Sequence, residues 1–300
     1  MSNGVMNYET FKQKVVENFK NYLPEMENAD VIVRDVVKNN ATFDGLTVTS
    51  KDSVISPTIY INHMYDVYKK LGDFEKTMKS FADSYMKHVS ESMNFDFSKI
   101  STSEFIKSHV IMYLVNVEHN QKMLDGVPYV KFLDLAILFR VVVDSGSERV
   151  GSYILNTDML VKNGLHIPDL FKLARKNTFE MFPTECSDMS VVIAGMIPGE
   201  DIQNVGNRMF IASNEARVNG AVAMLNNDFL ETFSNKIGDD LYILPSSVHE
   251  VIILPAHENN DVDALKSMVN EVNCTTLDAV DFLSDNVYKY SRETKLVSIA

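Results

Sequence analysis

Cysteine is scarce in this chain: Cys186 and Cys274 are the only two in 300 residues. Two thiols fit a reducing compartment and cannot by themselves make a zinc site, so both read as small, partly buried side chains. Basic clusters are missing too. The formal charge is −13, and the last hundred residues carry 15 acidic against 7 basic side chains. Nucleic-acid binding needs a basic face to release counterions from phosphates, so direct nucleic-acid binding is disfavoured, whereas an acidic face suits a basic protein partner. The longest apolar stretch, Phe132 to Val143, is interrupted by Asp134 and Arg140 and is too short and too charged to span a bilayer. Residues Met1 to Glu9 show neither a basic n-region nor an apolar h-region, so no signal peptide and a cytoplasmic location are expected. No G-x-G-x-x-G, Walker lysine loop or G-x-S-x-G elbow occurs, which leaves nucleotide binding and α/β-hydrolase chemistry without support. Ser84-Tyr85-Met86-Lys87 and Ser284-Asp285-Asn286 imitate parts of a penicillin-binding signature. The Lys-Thr-Gly that must follow is missing from the residues after Asn286, so these matches are chance.

What is present is an ordinary folding composition, 45% hydrophobic, at a length that suits one large or two ordinary domains. Tyr8, Phe11, Val15, Val16 and Phe19 recur at helical spacing up to Pro24. Extended segments follow at 31–33, 46–48 and 58–61, separated by the turn pairs Asn39-Asn40 and Asp44-Gly45. Helical spacing returns through Met64, Val67, Tyr68 and Leu71, stops at Gly72, and resumes with Phe74, Met78, Phe81 and Tyr85. This predicts a small α-β-β-β-α unit over 1–92, closed off by the polar stretch 90–103. Beyond it, extended runs at 109–117, 135–143, 153–156, 209–213 and 220–225 alternate with helices near 167–176 and from Asp228 to Gly238. A hairpin at 241–254, a helix from Asp261 and a last hairpin (287–290 with 296–299) complete the chain. We read 103–300 as a second α+β domain, an antiparallel or mixed sheet built from β-β-α elements. The segment 183–208 reads as an excursion over the surface.

The densest chemistry is the run Leu244 to Pro255, which sets Ser246, Ser247, His249 and Glu250 between two apolar stretches. These four are the candidate catalytic residues. Pro245 and the serines suit a turn. After the turn, strand alternation places His249 with Val251 and Ile253 on one face and Glu250 with Ile252 and Leu254 on the other, so His249 and Glu250 cannot form a local dyad. A serine–imidazole pair requires the turn to fold back; the competing reading has the serines capping the turn and His249 bonded within the fold. The dipeptides His249-Glu250 and His257-Glu258 lie eight residues apart, not at the four-residue helical spacing of a zincin. No metal and no cofactor is expected. The sixteen methionines are scattered and read as core filler.

Several segments together resemble an uncharacterised bacterial domain-of-unknown-function family. They are Pro57 to Asn62, Phe132 to Ala136, Asn177-Thr178, Asn219-Gly220-Ala221, Leu244 to Glu250, Asn270 to Asn273 and Leu283 to Tyr288. The resemblance spans nearly the whole chain and is most specific at the Ser-Ser-x-His-Glu and Asn-Glu-Val-Asn elements. It implies a bacterial or mobile-element origin and no particular activity. Cys274 departs from it, standing where a small or polar residue is expected. The leading expectation is a non-enzymatic protein that binds a protein partner, with no membrane contact. The alternatives are a hydrolase or transferase using Ser246, Ser247 and His249, and an acidic decoy of a nucleic-acid-binding protein.

Overall fold

In the computed structural model, which describes residues 5–23, 26, 29–49, 57–92, 97–145, 150–196, 208–259 and 261–300, Asn7 opens the first helix. Its Oδ1 accepts the Thr10 amide at 2.9 Å, the ordinary way to satisfy an orphan helix donor. Helix α1 (Tyr8–Asn18) buries Phe11 and Val15. Strands β1 (Asp30–Lys38), β2 (Ala41–Thr49) and β3 (Thr58–Tyr60) form an antiparallel sheet in that order. Asn40 turns the β1–β2 hairpin at φ +54°, a conformation asparagine tolerates. Helix α2 (Ile61–Leu71) stops at left-handed Gly72, and α3 (Phe74–Ser92) follows. Phe11, Phe19, Leu46, Met64, Tyr68, Met78 and Tyr85 close one core. This unit is the first of two compact ones, residues 1–97 and 98–300. Pro24, residues 93–96 of the expected polar boundary and 197–207 of the expected excursion lie outside the described residues.

Helix α4 (Phe97–Ile100) starts at the last residue of the first unit; the second unit continues with α5 (Ser103–His109) and then builds one four-stranded sheet. This contains β4 (Val110–Asn116), β5 (Tyr129–Phe132), β6 (Leu135–Ser145) and β7 (Val150–Ile154), with α6 (Gln121–Leu124) between β4 and β5. Helices α7 (Thr157–Lys162) and α8 (Ile167–Met181) come next. Asn177 and Thr178 tie α8 to β4: Asn177 Nδ2 donates to the Lys107 and Val110 carbonyls, and Thr178 Oγ1 accepts the Met112 amide. A six-stranded sheet comes from β8 (Thr184–Asp188), β9 (Phe210–Asn214), β10 (Leu241–Pro245), β11 (Val251–Pro255), β12 (Tyr288–Ser291) and β13 (Leu296–Ile299), ordered β13-β12-β10-β11-β9-β8. Helix α9 (Met189–Met196) follows β8, α10 (Asn227–Ile237) precedes β10, and α11 (Val262–Thr275) packs Leu265 and Val269 on Tyr242, Leu244 and Leu254. Among the described residues no helix is long and apolar enough to cross a membrane.

The class is α+β, and every strand pairing described is antiparallel. Where the sequence suggested one larger sheet, the second unit divides its strands between two. Residues 220–225, expected to be extended, form a 3-10 helix in which all six residues are buried, and a short, wholly apolar run carries no period to tell the two apart. Part of the expected excursion is regular structure, the edge strand β8 and helix α9. Strand β11 starts at Val251, so His249 and Glu250 belong to the connecting loop. Their strand alternation, and the argument that it separates them, does not apply.

Candidate functional site

Ser246, Ser247, His249 and Glu250 sit together in the five-residue loop between β10 and β11. The loop closes on itself through the Ser247 amide to the Glu250 carbonyl at 3.3 Å and the His249 amide to Ser247 Oγ at 3.0 Å. Neighbouring segments then clamp it. Ser213 Oγ donates to the His249 carbonyl at 2.7 Å, the Ala221 amide donates to the Val248 carbonyl, and the Val248 amide donates to the Asp281 carbonyl. Gly220 makes this approach feasible: a Cβ there would meet Ser213 Oγ at 2.1 Å and the His249 carbonyl oxygen at 2.4 Å.

The imidazole is fully engaged. Its Nδ1 accepts the Asn219 amide at 3.2 Å, so the hydrogen of the neutral ring is assigned to Nε2, which faces Asp281 Oδ1 at 3.2 Å. Neither serine meets the ring. Ser246 Oγ turns to Glu250 Oε1 at 3.4 Å, and Ser247 Oγ accepts the His249 amide. The loop brings the four candidates together without forming a serine–imidazole pair.

A second constellation, absent from the sequence candidates, lies a few residues beyond Asp281. Leu133 and Asp134 form the tip of the β5–β6 hairpin, between the paired residues Phe132 and Leu135. Leu133 has φ +55°, a region where a leucine costs about 1–2 kcal/mol, and such strain concentrates at functional sites. The Asp134 carbonyl accepts the Val117 amide at 3.0 Å. Its carboxylate accepts three side-chain donors: Ser284 Oγ at 2.7 Å, Asn286 Nδ2 at 3.0 Å and Tyr288 Oη at 2.8 Å. Burial, reinforced by the Asp134 charge, pushes the Tyr288 phenol far above its ordinary range, so it stays a donor. Asn273 of α11 steadies the same loop through the Ser284 carbonyl and Asp285 Oδ1.

These residues edge a cleft of about 350 Å³ whose walls include Glu118, His119, Lys131, Asp134, Phe282 and Asp285. Asn116 Oδ1 shapes one wall by accepting the Glu118 and His119 amides. The His119 ring stacks on Phe282, centroids 4.7 Å apart and planes 17° apart. The cleft thus combines three carboxylates, one ammonium and an aromatic face. Among the described residues, no group of three or more His, Cys, Asp or Glu could hold a metal ion.

Sequence reasoning passed over this site because Asp134 reads as an interruption of an apolar run, and Ser284-Asp285-Asn286 as a chance tripeptide. The available signal was a charged residue at a hairpin tip between two apolar strands. Several of the segments that carry the family resemblance meet around these two clusters: Phe132 to Ala136 joins Leu283 to Tyr288 at Asp134, and Asn219-Gly220-Ala221 joins Leu244 to Glu250 at His249. Comparison with curated proteins and with solved structures finds no match. A family model described as a family of unknown function, DUF5688, matches residues 8–292, and the chain belongs to that family.

Proposed function

We propose that this is a cytoplasmic accessory protein that binds a basic protein partner without turning over a substrate, and that the cleft at Asp134 receives a cationic side chain of that partner. The make-up of the cleft wall carries this reading: Glu118, Asp134 and Asp285 against one lysine, beside the stacked His119 and Phe282 rings. A guanidinium is planar, offers its donors to a carboxylate as a fork and stacks on aromatic faces, so arginine fits these walls better than lysine. A carboxylate has about four acceptor positions; Ser284, Asn286 and Tyr288 occupy three, leaving one on Asp134 Oδ1. The net charge of −13 adds a salt-dependent attraction for basic partners. Binding in place of catalysis draws support from His249, whose two nitrogens are engaged, since a general base needs one free toward its nucleophile. Both cysteines are free thiols, which suits a reducing cytoplasm. The decoy reading draws less support, because Asp240, Glu258 and Glu231 are ion-paired to Lys289, Arg208 and Lys295.

Calorimetric titration with a tetra-arginine peptide tests the reading. The expected outcome is saturable binding that weakens about tenfold, or ~1.4 kcal/mol, in the double variant Glu118→Gln/Asp285→Asn. Asp263→Asn/Glu271→Gln, which removes the same charge from α11, should bind as the parent does. Equal weakening in both double variants would mean that the peptide senses net charge alone and would refute the cleft.

A further inference from the structure

Arg140 lies on β6, away from the cleft. In the β4–β6 ladder it stands opposite Ile111, and Tyr113, opposite Leu138, is two positions along, so both side chains leave the same face of the sheet. The guanidinium carbon rests 4.9 Å from the centre of the Tyr113 ring. Among the described residues Arg140 Nε is sealed from solvent and has no hydrogen-bond partner, while the residue as a whole is only half-buried, so part of its surface stays open to approach. Burial pushes the guanidinium below its usual range, opposed by Tyr113, and among the described residues no carboxylate enters that balance. Tyr113 is 6% exposed, and among the described residues its hydroxyl makes no hydrogen bond. The acid nearest it in effect is Asp281, already held by His249 Nε2.

Buried cations are normally paired, because desolvating one costs several times what a single cation–π contact returns. Here that cost is met by a ring alone. An oxyanion would balance the charge, and the guanidinium fork and a phenolic O–H are the donors that bind one. We propose that Arg140 and Tyr113 form an oxyanion site, separate from the cleft, that takes the carboxylate or phosphate group of a small molecule.

The test is the thermal stability of the full chain as inorganic phosphate or acetate replaces chloride at constant ionic strength. One of the two should raise the Tm saturably, which also tells phosphate from carboxylate. Arg140→Met should abolish that rise without lowering the Tm in chloride, since no ion pair is broken. Tyr113→Phe should weaken the apparent affinity severalfold. Three results would overturn the proposal: no saturable rise with either anion, the same rise in Arg140→Met, or a large loss of Tm for that variant in chloride, which would show that Arg140 already has an acid partner. If Arg140→Met does not fold, that also counts against an unpaired guanidinium, and Tyr113→Phe with an undiminished response would count against the oxyanion.

Discussion

Asp134 and His249 are both held by hydrogen bonds, yet they should fail differently when replaced. Asp134→Ala removes a charged acceptor from three donors and leaves the hydroxyl of Tyr288, a fully buried residue, with the Ser284 hydroxyl in place of a carboxylate. Bonds to a charged group are each worth about 1.5–3 kcal/mol, and part of that survives as water enters the cleft, so a loss of about 3–4 kcal/mol is expected. His249→Ala loses two weaker ring contacts at a site about one-third exposed, and about 1–3 kcal/mol is expected. Urea denaturation measures both. An order reversed between the two variants would show that the His249 loop, not the Asp134 cage, is the main fastening of this region.

At the scale of elements, amphipathic helices and the longer buried apolar strands were legible, and short or unpatterned segments were not. Helices α1, α2, α8, α10 and α11 follow from their spacing and caps, as with Gly72 after α2 and Gly238 after α10, both left-handed. The β10–β11 hairpin follows from two apolar runs around Pro-Ser-Ser. The 3-10 helix at 220–225 was missed because its short apolar run carries no period, and the close approach of the His249 loop to Gly220 is a tertiary contact with no local signal. Strand β5 escaped because it is short and alternates exposed with half-buried residues, and β8 because Glu185, Cys186, Ser187 and Asp188 carry no apolar pattern. Of the site itself, the loop 246–250 was legible from its side chains. The cleft was not, since its walls come from segments more than a hundred residues apart. Gly220→Ala tests the contact that shapes the loop. Its methyl group must displace a backbone carbonyl as well as Ser213, so we expect about 1–3 kcal/mol of destabilisation. A thermal melt unchanged from the parent would mean that the loop and the 3-10 helix pack less tightly than described.

At the scale of the whole molecule, an acidic chain places in its larger unit a cleft that joins two antiparallel sheets through one carboxylate. The hairpin tip of the four-stranded sheet supplies Asp134, and the segment leading into β12 of the six-stranded sheet supplies its three donors. That arrangement holds three carboxylates and an aromatic face around a space large enough for one long cationic side chain. The most direct test is a heteronuclear NMR titration of the chain with N-acetyl-arginine amide, following backbone amides. The account requires saturable shifts centred on residues 116–119, 131–134 and 282–286, smaller shifts with the lysine analogue, and none with the glutamate analogue. Shifts scattered over the acidic surface, or none at the cleft at saturating ligand, would contradict it.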